Sequence, residues 1–152
     1  MARANLELIS SIRKAAKAIK TGTKYQWGHM GSCNCGHLVQ QITRLTRSEI
    51  HEYAMRKYGD WTEQSVDYCA TSGQPLDLVI SQMLDAGLDI QDFGHLEKLS
   101  DPLVLKKIPL QQRPLRHNVR DDVVLYMRTW ADLLQENLTD NIQLPSLELE
   151  KA

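Results

Sequence analysis

The chain has 152 residues, of which 42% are hydrophobic and 24% charged, values typical of one folded domain rather than of a disordered chain. Its 18 basic and 19 acidic side chains nearly cancel, so the basic excess that binds nucleic acids or anionic membranes is missing. No apolar run approaches the ~20 residues of a membrane span, and no secretory signal is visible. We therefore predict a cytoplasmic protein that binds neither nucleic acid nor membranes.

Apolar residues recur at steps of three or four along most of the chain, which predicts helices. The first helix is expected at residues 5–20, and Gly22 follows it where a left-handed cap suits glycine. The glycine-containing segment after it, residues 23–34, shows no periodicity and is predicted to be a long ordered loop. Further helices are expected at 35–45, 46–58, 60–69, 75–86, 90–99 and 101–107.

Two of these helices carry a sequence signature at their N-termini. Thr46 precedes Glu49 by three residues, and Asp60 precedes Glu63 by the same distance. A short polar side chain at the cap and a carboxylate three residues on satisfy two free amides reciprocally. Both pairs therefore predict capping boxes.

The last strong helix is predicted to begin at Asn118, as its cap, and to end at Leu138. The remaining residues, 139–152, are polar and contain a proline, which favours a loose C-terminal tail. Leu147 and Leu149 within it are candidates for a homo-oligomer contact.

No apolar and polar residues alternate in the way that a strand requires. Because the predicted helices are short and separated by two long loops, we expect an all-α fold. The prediction is a single irregular bundle of five to seven helices over residues 1–138.

Reactive side chains are concentrated in residues 29–37, which include two of the three cysteines and two of the five histidines. Zinc prefers four Cys or His donors in a tetrahedron, so one hypothesis is a zinc site. Its ligands would be His29, Cys33, Cys35 and His37, with Cys69 as a distant fifth candidate. The two cysteines are only one residue apart, whereas structural zinc sites usually space them by two to four.

A second hypothesis is a catalytic or redox thiol. Cys35 is predicted at the start of a helix, where free amides and the helix dipole favour a thiolate and lower its pKa. Cys33 would be the resolving thiol. A base would also be needed, and the candidates lie far away in sequence: His51, His95 and His117.

Two stretches, Tyr25-x-Trp27-Gly28 and 34–40 (Asn-Cys-Gly-His-Leu-Val-Gln), resemble the nucleophile segment of papain-like bacterial cell-wall cysteine peptidases. In that family a Trp-Gly turn precedes Asp-Cys-Ser-Gly-Leu-Val at a helix start, so the resemblance implies that Cys35 is the nucleophile. This chain has Asn34 in place of the family's Asp, and it continues in predicted helices where the family has a sheet carrying its histidine. Independent convergence on a thiol at a helix start is the alternative explanation.

The chain as a whole also resembles small bacterial proteins that share the stretch Trp-Gly-His-Met-Gly-Ser-Cys-Asn-Cys-Gly, a resemblance that implies no activity. A third interpretation of the cysteines is structural, since free cysteine packs as a small buried hydrophobe. Long ordered loops are nevertheless often functional. We therefore expect an interaction or ligand-binding role for the 25–37 segment, with a cysteine-dependent enzyme or metal-binding protein as the alternative.

Overall fold

The computed structural model describes the backbone of residues 1–22 and 24–151 and the side chains of residues 1–22 and 24–141. Within these ranges the chain forms eight α-helices, one short 3-10 helix and no strand. The all-α prediction is thus confirmed, with one helix more than the upper limit expected. The helices are α1 (Leu6–Lys20), α2 (Asn34–Thr43), α3 (Arg47–Met55), α4 (Trp61–Val66), α5 (Pro75–Asp85), α6 (Ile90–Lys98), α7 (Pro102–Leu105) and α8 (Arg120–Lys151), with the 3-10 helix at Leu110–Gln112.

Helix α2 lies at the centre of the bundle, in contact with α1, α3, α5 and α6. Its Leu38 and Val39 are fully buried. Helix α1 packs between α2 and α8, and α6 packs on α4. Because the 25–37 segment leads directly into α2, its side chains meet both the core and the surface.

Local signals place the helix starts well. Both predicted capping boxes are present, Thr46 with Glu49 and Asp60 with Glu63. A third one, Asp89 with Asp92, opens α6 and is not anticipated by the sequence analysis. These capping boxes open the three short helices α3, α4 and α6.

Helix α2 begins one residue earlier than expected. Cys33 is its N-cap, in an extended conformation, and the Cys33 Sγ accepts a hydrogen bond from the amide of Gly36 at 3.4 Å. The helix ends at Thr43, where Arg44 adopts a left-handed conformation with φ of 66°. Cys35 therefore lies in the first turn of the helix and not before it.

The last helix differs from expectation at both ends. It begins at Arg120, two residues after the predicted cap Asn118, and its backbone is helical to Lys151, where the sequence analysis predicts a loose tail from residue 139. Residues 135–144 contain neither Gly nor Pro, so nothing there ends a helix that is already formed. The side chains of the candidate contact residues Leu147 and Leu149 lie outside the described residues. None of the described helices is both long and apolar enough to cross a bilayer.

Candidate functional site

The loop before α2 is held by hydrogen bonds along its own backbone. The amide of Gln26 donates to the carbonyl of Ser32 at 3.1 Å, and the carbonyl of His29 accepts from the amides of Ser32 and Cys33. The loop therefore closes on itself between Gln26 and Ser32. Between these two residues the backbone forms turns rather than a regular helix.

Side chains from two other helices fix the same loop from inside. The indole Nε1 of Trp61 donates to the carbonyl of Met30 at 2.9 Å, and Gln40 Nε2 donates to the carbonyl of Gly31 at 2.6 Å. Without Gln40 the Gly31 carbonyl would be buried without a partner, at a cost of about 1–3 kcal/mol, and without Trp61 the Met30 carbonyl would keep only the Cys33 thiol at 3.7 Å. Trp61 is fully buried, which the sequence analysis does not predict.

Two glycines allow the loop to lie directly on neighbouring backbone. A Cβ at Gly31 would lie 1.9 Å from the carbonyl oxygen of Arg47, and one at Gly36 would lie 2.5 Å from the carbonyl of Met30. No side chain fits at either position. By contrast, a Cβ at Gly28 would meet nothing within 4 Å.

Asn34 joins the loop to two distant segments. Its Nδ2 donates to the carbonyls of Leu96, Glu97 and His117, at 3.1, 3.3 and 2.9 Å, while its Oδ1 accepts from the hydroxyl of Tyr25 at 2.6 Å. An aspartate here would have no N–H to offer these carbonyls. The three carbonyls around position 34 therefore require an amide side chain there.

Both cysteines of the segment lie in the core, with 1% of each exposed. The Cys35 thiol is 3.2 Å from the carbonyl oxygen of Phe93, and the Cys33 thiol is 3.1 Å from Glu97 Oε1. Burial, followed by the proximity of Glu97, raises the pKa of both thiols well above the usual range. The expectation that the helix start lowers the pKa of Cys35 is therefore wrong, because desolvation outweighs the helix dipole.

The three candidate bases for Cys35 have other partners. His51 Nδ1 accepts from the amide of Met30, His95 Nδ1 lies 3.0 Å from the hydroxyl of Ser100, and His117 packs on Trp27 with ring centroids 4.7 Å apart. None of these contacts joins an imidazole to the Cys35 thiol. The structure thus gives this thiol no histidine activator.

Glu97 is a site residue that the sequence analysis misses. Its Oε1 accepts from the Cys35 amide at 2.8 Å and from the Cys33 thiol at 3.1 Å, and only 4% of the residue is exposed. Burial raises the pKa of this carboxyl group. Glu97 lies in a helix with a weak sequence pattern, so no local signal marks it as a buried acid.

The candidate zinc ligands are not brought together. His37 Nε2 donates to the carbonyl of Lys24 at 3.2 Å, Cys33 and Cys35 contact Glu97 and Phe93, and Cys69 is exposed in a distant turn. Among the described residues, no group of three or more His, Cys, Asp or Glu side chains is arranged to hold a metal ion. The geometry therefore gives the zinc hypothesis no support.

The remaining candidate ligand, His29, stacks on His51, with ring centroids 3.9 Å apart and an interplanar angle of 17°. Their Nδ1 atoms accept hydrogen bonds from two consecutive amides, His29 from Gly31 and His51 from Met30, both at 3.1 Å. Burial, followed by His51 and the charge of Arg47, lowers the pKa of His29. Both rings are partly buried and form one edge of the loop surface.

Comparison with known proteins gave no match to a family model, a curated protein or a solved structure.

Proposed function

We propose that this is a binding protein, and that its binding surface is formed by the partly exposed aromatic and imidazole rings of the 25–37 segment together with α3. The observation that carries the proposal is that the inward and outward sides of the loop differ. Inward-facing polar groups are satisfied by the core, whereas the rings of Trp27, His29 and His51 remain partly accessible. A ligand can reach these rings without any rearrangement of the loop.

The ordering of the loop supports this role. Fixing a backbone costs about 1–2 kcal/mol per residue, so a loop without a regular pattern needs many specific contacts to remain ordered. Here Trp61, Gln40 and Asn34 supply them from different elements. Preorganised surfaces bind more tightly because the ordering cost is met during folding.

The alternative, a cysteine-dependent enzyme, is disfavoured by the position of Cys35. A nucleophilic thiol needs a thiolate, an accessible sulfur and a base, and burial works against the first two. Three free thiols suit a reducing compartment, so a cytoplasmic location is part of the proposal.

The indole N–H signals in an amide NMR spectrum test the proposal, because the three tryptophans differ in exposure. A library of amino acids, organic acids, nucleotides and sugars would be screened against the protein. Trp61 and Trp130 are buried, so a ligand on the proposed surface shifts the Trp27 indole signal and leaves the other two unchanged.

The matched variants for this screen are Trp27→Phe, which removes the responding signal and weakens binding, and Tyr58→Phe, a control at a residue that is 98% exposed. If every hit shifts signals elsewhere, or if Trp27→Phe binds as tightly as the parent protein, the proposed surface is wrong. Rapid labelling of Cys35 by a thiol reagent at neutral pH would instead favour the enzyme.

A further inference from the structure

The guanidinium group of Arg47 is an unpaired charge beside the loop. Its Nη2 donates to the hydroxyl of Ser32 at 3.2 Å, but no carboxylate among the described residues forms an ion pair with it. Its Nε is buried and has no acceptor. Leaving a buried N–H donor without an acceptor is costly, although Arg47 as a whole is only partly buried.

The position of Arg47 in α3 increases this cost. It is the first residue of the helix, where the dipole favours negative rather than positive groups. Four residues later on the same face is His51, whose ring stacks on His29. A cation and two imidazoles are thus gathered near the start of α3, whose own end is capped by Thr46 and the carboxylate of Glu49.

The hydrogen bonds define which nitrogen of each imidazole carries the proton. Since Nδ1 of His29 and of His51 accepts a backbone N–H, each neutral ring carries its proton on Nε2. No described residue accepts from either Nε2, and neither atom is among the buried polar atoms without a partner, so both reach the surface. Each ring therefore offers an N–H donor to solvent.

This tautomer selects the kind of ligand. To bind a metal ion through its exposed Nε2, either ring would have to carry its proton on Nδ1, but here each Nδ1 accepts a backbone N–H. An oxygen that accepts hydrogen bonds fits without any change. With both rings in the neutral form, the charge of the three side chains is that of one guanidinium, which balances a monoanion and leaves a phosphate dianion partly uncompensated.

We propose that the ligand carries a carboxylate, held by the guanidinium of Arg47 and by the Nε2–H donors of His29 and His51. This inference rests on the proposed binding function, whose surface it shares. The ligand would also give the unpaired Nε of Arg47 an acceptor after a small movement of the side chain, which relieves the cost described above.

Titration with sodium acetate at constant ionic strength, with chloride as the balancing anion, tests this assignment. The imidazole Cε1–H signals of all five histidines would be followed by NMR. We expect saturable shifts at His29 and His51 and none at His95. The Arg47→Gln variant should bind acetate about tenfold more weakly or worse, because it loses a charge-assisted hydrogen bond.

The matched control is Arg56→Gln, which removes an arginine from the end of the same helix, where it is exposed and paired with Glu52. It should bind acetate as the parent protein does. If Arg47→Gln is misfolded, Arg47→Lys keeps the charge but not the planar fork, and it should bind with intermediate affinity. Unchanged binding in both Arg47 variants would overturn the proposal.

A second titration with inorganic phosphate distinguishes a carboxylate from a phosphoryl ligand. If phosphate saturates the site at a lower concentration than acetate does, the preferred ligand carries a phosphoryl group and the carboxylate assignment is wrong. If neither anion gives saturable shifts while a neutral library compound still shifts the Trp27 indole, this inference fails and the proposed function stands. If the indole responds to no compound either, both fail.

Discussion

The Oε1 atom of Glu97 accepts a hydrogen bond from the backbone amide of Cys35 at 2.8 Å, across 62 residues of sequence. This amide is in the first turn of α2, where free N–H groups stabilise a negative charge. The acid of α6 therefore uses the donors that would otherwise stabilise a Cys35 thiolate. The same oxygen accepts from the Cys33 thiol, so the cluster keeps both sulfurs protonated.

Substitution of Glu97 should separate its hydrogen-bonding role from its charge. Glu97→Gln keeps an acceptor for the Cys35 amide, whereas Glu97→Ala leaves that buried amide without one, at a cost of about 1–3 kcal/mol plus a cavity. Because burial raises the pKa of Glu97, the stability it contributes is full below its unfolded pKa and is lost as the pH rises through the folded value. At pH 8 the free energy of unfolding of Glu97→Gln in urea should equal or exceed that of the parent protein. Equal destabilisation by Glu97→Gln and Glu97→Ala would contradict this role.

Gly31→Ala should destabilise the fold by about 3 kcal/mol or more, since its Cβ would overlap the carbonyl of Arg47 at 1.9 Å and neither backbone can move freely. Gly28→Ala is the matched control in the same loop. Its Cβ meets no atom within 4 Å, so a change within about 0.5 kcal/mol is expected. Chemical denaturation of the two variants measures the difference, and similar midpoints would show that the loop does not lie on α3 as described.

The three thiols should react at very different rates with a thiol reagent at neutral pH. Cys69 is exposed, and a hydrogen bond from Thr71 lowers its pKa, so it should react first. Cys33 and Cys35 are buried and should be labelled only when the core opens, at least about a thousandfold more slowly. The Cys69→Ser variant should show no fast phase; a second fast thiol in that variant would be evidence for an accessible Cys33 or Cys35.

The features that could be predicted from the sequence are those whose causes are local. A capping box needs only two residues three positions apart, so Thr46–Glu49 and Asp60–Glu63 were identifiable before any tertiary contact was known. The apolar stripe of α1 is likewise contained in its own residues. Element type, and the starts of the two helices with predicted capping boxes, therefore follow from sequence patterns.

The candidate site was only partly predictable because its decisive contacts join distant residues. The segment was located from its glycines, cysteines and histidines, but Glu97 is 62 residues from the amide it accepts, and His51 is 21 residues from Met30. The pKa of Cys35 was predicted in the wrong direction for the same reason. A helix start acts locally and is visible in the sequence, whereas desolvation depends on packing by residues elsewhere.

His37 should contribute a loss of stability in mild acid, opposite in sign to the contribution of Glu97. Burial lowers the pKa of this histidine, whose Nε2 donates to the carbonyl of Lys24, so the folded state favours the neutral ring. Its contribution is therefore full above the unfolded pKa of about 6.5 and is lost as the pH falls from there through the folded value. In urea unfolding between pH 7 and 5, His37→Gln should reduce the slope of the unfolding free energy by up to about 1.4 kcal/mol per pH unit, one proton's worth. The exposed substitution Val66→Ala should leave the slope unchanged; a parallel profile for His37→Gln would mean that His37 takes up a proton equally well in the folded and unfolded states.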